Sequence, residues 1–298
     1  MTVTTTRSDG GVDFRLDLDS DTLLPGRMAT GRVRVDFREP VEARGIIASL
    51  IATEMWQHED TDRDANGTTR TRTVTSTNEL RRLPVALAGP ASYAAGESKE
   101  FALELPVPPL GPATFDATVA ALRWKVEVKV DIPGFDPDVT ADVAVFQPTA
   151  LLRAGVVDVG QFALFSSADV ANDGASGSIA LDPVPLCLGT TFSGHLAIAA
   201  GRERLQEVRL ELRTKVKATV PSGKAEEITL WTGRIAGEGE FGGADEATFN
   251  GTLPTRWLPT MRLPHSRADA TFRVILARSW AQDTHLVRDV AICSTTEL

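Results

Sequence analysis

Three carboxylates lie close together between two strand-like segments of the first half of the chain. Asp131, Asp136 and Asp138 are separated by Ile-Pro-Gly-Phe and by a single proline. Oxygen-rich loops bind Ca²⁺, and glycosidases use two spaced carboxylates. The spacing lacks the regular ligand pattern of an EF-hand, and the prolines are typical of a turn. We therefore expect a turn here. The alternative is a β-sandwich hydrolase or a Ca²⁺-dependent carbohydrate-binding protein that uses this loop.

A glycine-rich segment, Gly237-Glu238-Gly239-Glu240-Phe241-Gly242, has the spelling of a dinucleotide-binding loop. Such a loop needs a helix directly after it and backbone amides that face phosphate. The seven residues before the next strand-like segment are too few for a helix, and the glutamates would repel a pyrophosphate. We interpret the segment as an acidic hairpin.

The remaining nucleophiles and metal-ligating residues form no recognisable catalytic motif. The histidines are scattered and lack the spacing of a zinc site; they are His58, His195, His265 and His285. Cys187 precedes a tight turn and Cys293 lies in the last strand-like segment, and neither has an activating neighbour in sequence. We expect both thiols to be inert and predict a protein that is not an enzyme and holds no cofactor or metal.

Two features suggest contact with another protein. The segment from Leu253 to Pro259 is bounded by prolines and carries Arg256, Trp257 and Leu258. A tryptophan beside an arginine in a loop is a candidate contact anchor. The basic pairs Arg70/Arg72 and Arg81/Arg82 are candidates for contact with an acidic partner, although a solvated hairpin is the favoured interpretation.

Composition excludes several classes of function. The chain has 298 residues, a net charge of −9 and 42% hydrophobic residues. This acidic balance argues against binding to nucleic acid or to anionic membrane. No apolar stretch is long enough for a membrane helix, and residues 1–6 lack the pattern of a signal peptide. Because there are only two cysteines, we expect a cytoplasmic protein rather than a disulfide-rich secreted one.

The hydrophobic pattern has the period of β-strands almost throughout. Residues 12–19 and 208–218 alternate between apolar and polar side chains, which predicts strands with one buried face. The polar residues 58–79 predict a long, mobile hairpin. Residues 147–177 have the composition of a linker, with a candidate crossing strand at 156–165. Short strands with frequent turn signals predict an all-β chain of antiparallel, immunoglobulin-like sandwiches.

The two halves of the chain repeat the same landmarks. Gly26 and Gly31 are separated by four residues, and so are Gly189 and Gly194. Each pair is followed by Phe-x3-Leu-Pro, at 101–106 and again at 249–254. The glycines are expected to form turns of the fold. The repeat predicts two tandem domains from an internal duplication, with boundaries at 1–150 and 151–298.

These landmarks resemble the arrestin superfamily over nearly the whole chain. The Pro-Gly turn with a second glycine five residues later, leading into Val-x-Val, resembles the start of an arrestin N-domain. Residues 97–106 and 122–128 resemble its second half, while Gly189, Gly194, Leu253-Pro254 and residues 290–292 resemble an arrestin C-domain. The resemblance implies a non-enzymatic scaffold or adaptor that binds proteins through loops and sheet edges. The composition suits a bacterial member of the sporulation-control type, and self-assembly into a homo-oligomer is a further alternative.

Overall fold

A computed structural model describes residues 1–63, 68–154, 161–199, 205–237, 244–278 and 282–295. The Asn66-Gly67 turn and most of the acidic hairpin at 237–242 lie outside the described residues. The first half contains β1 Val3–Asp9, β2 Val12–Leu18, β3 Thr22–Leu23, β4 Met28–Phe37, β5 Val41–Ala43, β6 Gly45–Arg63, β7 Thr69–Ala88, β8 Ala91–Tyr93, β9 Ser98–Pro106, β10 Phe115–Asp116, β11 Ala120–Asp131 and β12 Asp138–Val145.

The second half begins with a single-turn helix α1, Thr149–Arg153, and a 3₁₀ helix, Gln161–Leu164. The strands that follow are β13 Ser167–Asn172, β14 Ala175–Asp182, β15 Leu186–Cys187, β16 Thr191–Ala199, β17 Leu205–Ala218, β18 Ala225–Ala236, β19 Ala244–Thr252, β20 Met261–Arg262, β21 Ser266–Arg278, β22 Thr284–Val290 and β23 Ile292–Cys293. The prediction of an all-β chain is confirmed.

The chain divides into two compact units. The first comprises residues 1–55, 77–114 and 121–146, and the second comprises 56–76, 115–120 and 147–298. One four-stranded sheet has the order β1-β2-β4-β9, and another has the order β13-β14-β16-β19. The larger sheets have the orders β3-β12-β11-β6-β7 and β18-β17-β21-β20, with β10 beside β11 and β22 beside β21. The two four-stranded sheets therefore connect their strands in a similar order along the chain.

The strands of the first unit bury alternate side chains, as their sequence pattern predicts. In β2 the residues Val12, Phe14, Leu16 and Leu18 are buried while those between them are not. In β11 the central residue is Trp124, which is 1% exposed and donates a hydrogen bond from Nε1 to the Pro112 carbonyl at 3.0 Å. This bond satisfies the only polar atom of the indole, which is why so large a residue can be fully buried.

An aromatic cluster fills the second unit. Phe192, Phe249 and Phe272 are buried, and the Trp231 ring lies 5.1–6.2 Å from each of them, measured between ring centroids. Glycines make room for these rings. A Cβ atom added at Gly194 would lie 2.1 Å from the Phe249 ring, and one at Gly233 or Gly251 would lie 2.5–2.6 Å from the Trp231 ring.

Both recurrent glycine pairs combine a turn with a close approach. Gly26 and Gly189 each have φ of +75°, a left-handed conformation that glycine adopts readily. At Gly31 a Cβ atom would lie 2.3 Å from the backbone oxygen of Asp17 in the neighbouring strand. At Gly194 an added Cβ atom would contact the Phe249 ring and would lie 2.7 Å from the Ala180 backbone oxygen.

Each unit also contains a short parallel pair. In the first unit Leu23 of β3 lies opposite Val145 of β12. In the second unit Cys187 of β15 lies opposite Cys293 of β23. A parallel pair joins chain segments that are distant in sequence, so each of these pairs closes its unit.

The hairpin predicted at residues 58–79 is present: β6 runs to Arg63, β7 begins at Thr69, and the two strands are neighbours in one sheet. Threonine favours strands, and cross-strand contacts hold the two arms, such as Arg72 Nη2 to Asp60 Oδ2 at 2.9 Å. The candidate crossing strand at 156–165 is a 3₁₀ helix over Gln161–Leu164, and residues 155–160 lie outside the described residues.

Candidate functional site

The three carboxylates of the Asp131–Asp138 turn face three different cations. Asp131 lies 3.7 Å from Arg44, Asp136 lies 3.0 Å from Lys129, and Asp138 lies 2.8 Å from Arg7. The hydrogen bond from Lys129 holds the pKa of Asp136 below its ordinary value. Carboxylates that are each satisfied by a separate cation point apart rather than toward one ion. This arrangement favours a turn held by ion pairs.

The proline-bounded loop is only partly accessible. Arg256 is exposed and Trp257 is half-buried, whereas Leu258 is 2% exposed. The Trp257 carbonyl accepts a hydrogen bond from the backbone amide of Asp116 at 2.7 Å. Leu258 therefore belongs to the core in this structure, and Arg256 is the side chain that the loop presents to solvent. The chain continues from this loop into β20.

A row of three cations crosses the larger sheet of the second unit just beyond this loop. Lys217 of β17 lies opposite Arg267 of β21, and Arg267 lies opposite Arg262 of β20. Residues directly opposite each other in neighbouring strands project from the same face of a sheet. The adjacent positions Val216, Met261 and Ala268 are buried, so this face is the outer one. We call these three residues the basic row.

The basic row places like charges where cross-strand neighbours normally carry opposite ones. Like charges directly opposite each other destabilise a sheet. Arg267 is compensated in part, because its Nε lies 2.7 Å from Asp269. Lys217 has no ion pair within the residues that the structure describes. The row thus concentrates positive charge on one sheet face of a protein whose net charge is −9.

The next positions along the same face carry mixed charge. Lys215 lies opposite Asp269 on one side and Glu227 on the other. Lys215 and Asp269 line a cavity of about 340 Å³ on the sheet surface together with Arg262, Arg267, Arg273 and Asp289. The cavity lining therefore carries four cations and two carboxylates.

A compact ion-pair network closes the far end of this face. Arg213 contacts Glu211 at 2.5 Å and Glu227 at 2.8 Å, and Arg273 also bonds to Glu227. Burial opposes ionisation of Glu227, but the hydrogen bonds and charges of the two arginines outweigh it and hold its pKa below the ordinary value. These arginines are thus already paired with carboxylates of the same face.

The hairpin formed by β6 and β7, whose residues 57–78 the sequence also makes a candidate contact surface, is held at its base by residues of the second unit. Within the second unit, Glu59 donates its amide to the Ser222 carbonyl at 2.9 Å, and the Lys224 amide donates to the Gln57 carbonyl at 2.9 Å. The side chains of Lys224 and Glu59 form an ion pair. Only the part of the hairpin beyond Glu59 is available to a partner.

Sequence reasoning identified Arg256 but missed the basic row. In the sequence, Lys217 is one polar residue of an alternating strand, and Arg262 and Arg267 belong to no motif. Their proximity depends on the register of β17, β20 and β21, which no local motif reports. The one available signal was that two of them are arginines close to the proline-bounded loop.

The described residues contain no group of three histidine, cysteine or carboxylate side chains placed to hold a metal ion. In the same part of the chain, no helix has the length and apolar character needed to cross a membrane. Models of known protein families and curated protein sequences were both compared with this chain, and neither comparison finds a match.

Proposed function

We propose that this chain is an arrestin-like scaffold that acts in the cytoplasm without catalysing a reaction. It consists of two immunoglobulin-like β-sandwich domains that bind partner proteins through sheet surfaces and loops. The repeated order of β1-β2-β4-β9 and β13-β14-β16-β19 supports a duplicated domain. The parallel pairs β3–β12 and β15–β23, which close the two units in the same way, support it further.

The basic row is the single observation that carries the binding role. Lys217, Arg267 and Arg262 stand side by side on one face of the sheet, and a positive surface attracts a partner that brings negative charge. The partner is therefore a protein with an acidic segment. Arg256, which is exposed in the loop that leads into β20, extends the positive surface along the chain.

The cavity beside the basic row sets the geometry of the contact. Its volume of about 340 Å³ is at the small end for a ligand pocket and holds one or two side chains rather than a whole ligand. Its lining carries Lys215, Arg262, Arg267 and Arg273 against Asp269 and Asp289, so cations are in excess. We therefore place the acidic side chains of the partner over the basic row and the adjoining cavity.

A short acidic probe tests this function directly. Fluorescein-labelled octaglutamate is titrated with the full chain, and anisotropy is compared with that of octaglutamine. The double variant Lys217→Gln/Arg262→Gln should bind octaglutamate about tenfold more weakly, since two charge contacts of about 0.7 kcal/mol each together contribute about 1.4 kcal/mol. The wild-type affinity should fall as salt is raised.

The matched control is a double variant that removes two positive charges from the first unit instead. Arg32 and Lys99 are partly exposed cations of β4 and β9 in the first unit. Arg32→Gln/Lys99→Gln should bind octaglutamate as the wild type does. Equal losses in both double variants would mean that only overall charge matters. Equal affinity of the wild type for octaglutamate and octaglutamine would refute an acidic partner.

A further inference from the structure

The only two cysteines of the chain are direct neighbours in the structure although they lie more than a hundred residues apart in sequence. Cys187 and Cys293 occupy matched positions of the parallel pair β15–β23. Backbone hydrogen bonds fix this register: Leu186 donates to Ala291 at 2.9 Å, and Leu188 donates to Cys293 at 3.0 Å. Neighbouring strands lie about 4.8 Å apart, which is within the range of Cα separations that a disulfide spans.

The two thiols differ in their readiness to ionise. The interaction with the neighbouring Cys293 thiol lowers the pKa of Cys187 against the opposing effect of burial. The same interaction, together with burial, raises the pKa of Cys293. Cys187 is therefore the sulfur that carries negative charge more readily, and Cys293 is the sulfur that holds the proton.

The corresponding position of the first unit carries no thiols. There the parallel pair places Leu23 opposite Val145. Two aliphatic side chains thus satisfy the packing of this short ladder, so the fold itself does not require a cysteine pair in the second unit. The presence of two thiols at this position is therefore better explained by their chemistry than by packing.

A thin cover separates the pair from solvent. The cysteines are 0–1% exposed and pack with Leu152 of α1, Ala163 of the 3₁₀ helix and Ala291. Leu164 is half-buried and packs against this cluster. The same leucine lines an open cavity of about 630 Å³ together with Arg153 and Val184. Leu164 therefore contacts both the buried cluster and a cavity large enough for a small oxidant.

We propose that Cys187 and Cys293 form a dithiol that a hydroperoxide oxidises to an intramolecular disulfide. The Cys187 thiolate attacks one peroxide oxygen, the O–O bond breaks, and Cys187 becomes a sulfenic acid. Cys293 then attacks the Cys187 sulfur, the S–S bond forms, and the S–O bond breaks with loss of water. With hydrogen peroxide, two thiols lose two protons and two electrons, and the peroxide is reduced to two molecules of water.

Mass spectrometry of the intact, folded chain after exposure to hydrogen peroxide tests the proposal. The wild type should lose about 2 Da, and both thiols should disappear from a count made after denaturation. A thiol reductant should reverse both changes. Cys187→Ala and Cys293→Ala each keep a single thiol and should show no 2 Da loss. The crosslinked chain should unfold at a higher temperature than the reduced chain, because the disulfide closes a long loop.

Variants of the cover separate native oxidation from oxidation of unfolded chain. Leu164→Ala should react faster than the wild type, since it opens the path from the cavity. Leu110→Ala, which removes the same atoms from an exposed site of the first unit, should react at the wild-type rate. A folded wild type that keeps both thiols after prolonged exposure overturns the proposal, whatever Leu164→Ala does. Separate oxygen adducts on the two cysteines, or disulfide-linked dimers, overturn it as well.

Discussion

Neutralising Lys217 should make the second unit more stable, although the change removes a charged group from the protein surface. Lys217 has Arg267 opposite it on β21 and Ala225 opposite it on β18. Lys215 lies two residues earlier on the same strand and face, where its opposite residues are Asp269 and Glu227. Lys217→Gln therefore removes a repulsion, whereas Lys215→Gln removes attractions.

The expected size of each effect follows from the spacing of the strands. Opposite residues are about 5 Å apart at Cβ, and charged cross-strand pairs contribute about 0.2–1 kcal/mol. Coulomb's law gives about 0.8 kcal/mol for two unit charges at 5 Å in water, before screening by salt. We expect Lys217→Gln to raise the free energy of unfolding by about 0.5 kcal/mol and Lys215→Gln to lower it by about the same amount.

Urea denaturation followed by circular dichroism measures both changes, at 50 mM and at 1 M sodium chloride. The two variants have the same net charge, so their difference isolates the local neighbours from the overall field. At 1 M salt the screening length is about 3 Å, and the two variants should converge. The reasoning fails if both substitutions shift stability in the same direction at low salt, or if their difference is independent of salt.

Two further predictions concern the first unit. Gly31→Ala should lower the free energy of unfolding by about 1–3 kcal/mol, because its Cβ would lie 2.3 Å from the Asp17 backbone oxygen. The control Gly89→Ala, whose Cβ would have no atom within 4 Å, should change the free energy of unfolding by less than about 0.5 kcal/mol. Equal urea midpoints for the two variants would contradict this prediction. Burial opposes ionisation of Glu127, but hydrogen bonds led by that of Arg82 hold its pKa below 4.5. Its stabilisation is thus complete above pH 4.5 and is lost on acidification, so Glu127→Gln should be less stable than the wild type at pH 7 and lose less stability below pH 4.5; parallel pH profiles would contradict this.

The strands were predictable because their signal is local. The alternation of apolar and polar residues in β2 and β17 predicts which side chains are buried, and the burial of individual residues in the structure follows that pattern. The recurrence of Gly26 and Gly189 could also be found in the sequence, since a position with positive φ is usually occupied by glycine. In both cases the residues that determine the local structure lie within one short segment.

The candidate sites were not predictable because their requirement is spread over distant segments. Lys217, Arg262 and Arg267 become neighbours only through the register of three strands, and a shift of one residue would send Lys217 to the opposite face. Cys187 and Cys293 meet only through a parallel pair.

The parallel pair β15–β23 has a consequence for the order of events on the ribosome. The first unit has its own closing pair once Val145 has emerged, so that unit can reach its native arrangement while the rest is still being translated. The second unit receives its closing strand only with residues 292–293. Throughout the translation of the intervening residues, Leu186 and Cys187 lack their native strand neighbour. Nascent chains stalled short of this point should therefore be captured by chaperones through the second unit and not through the first.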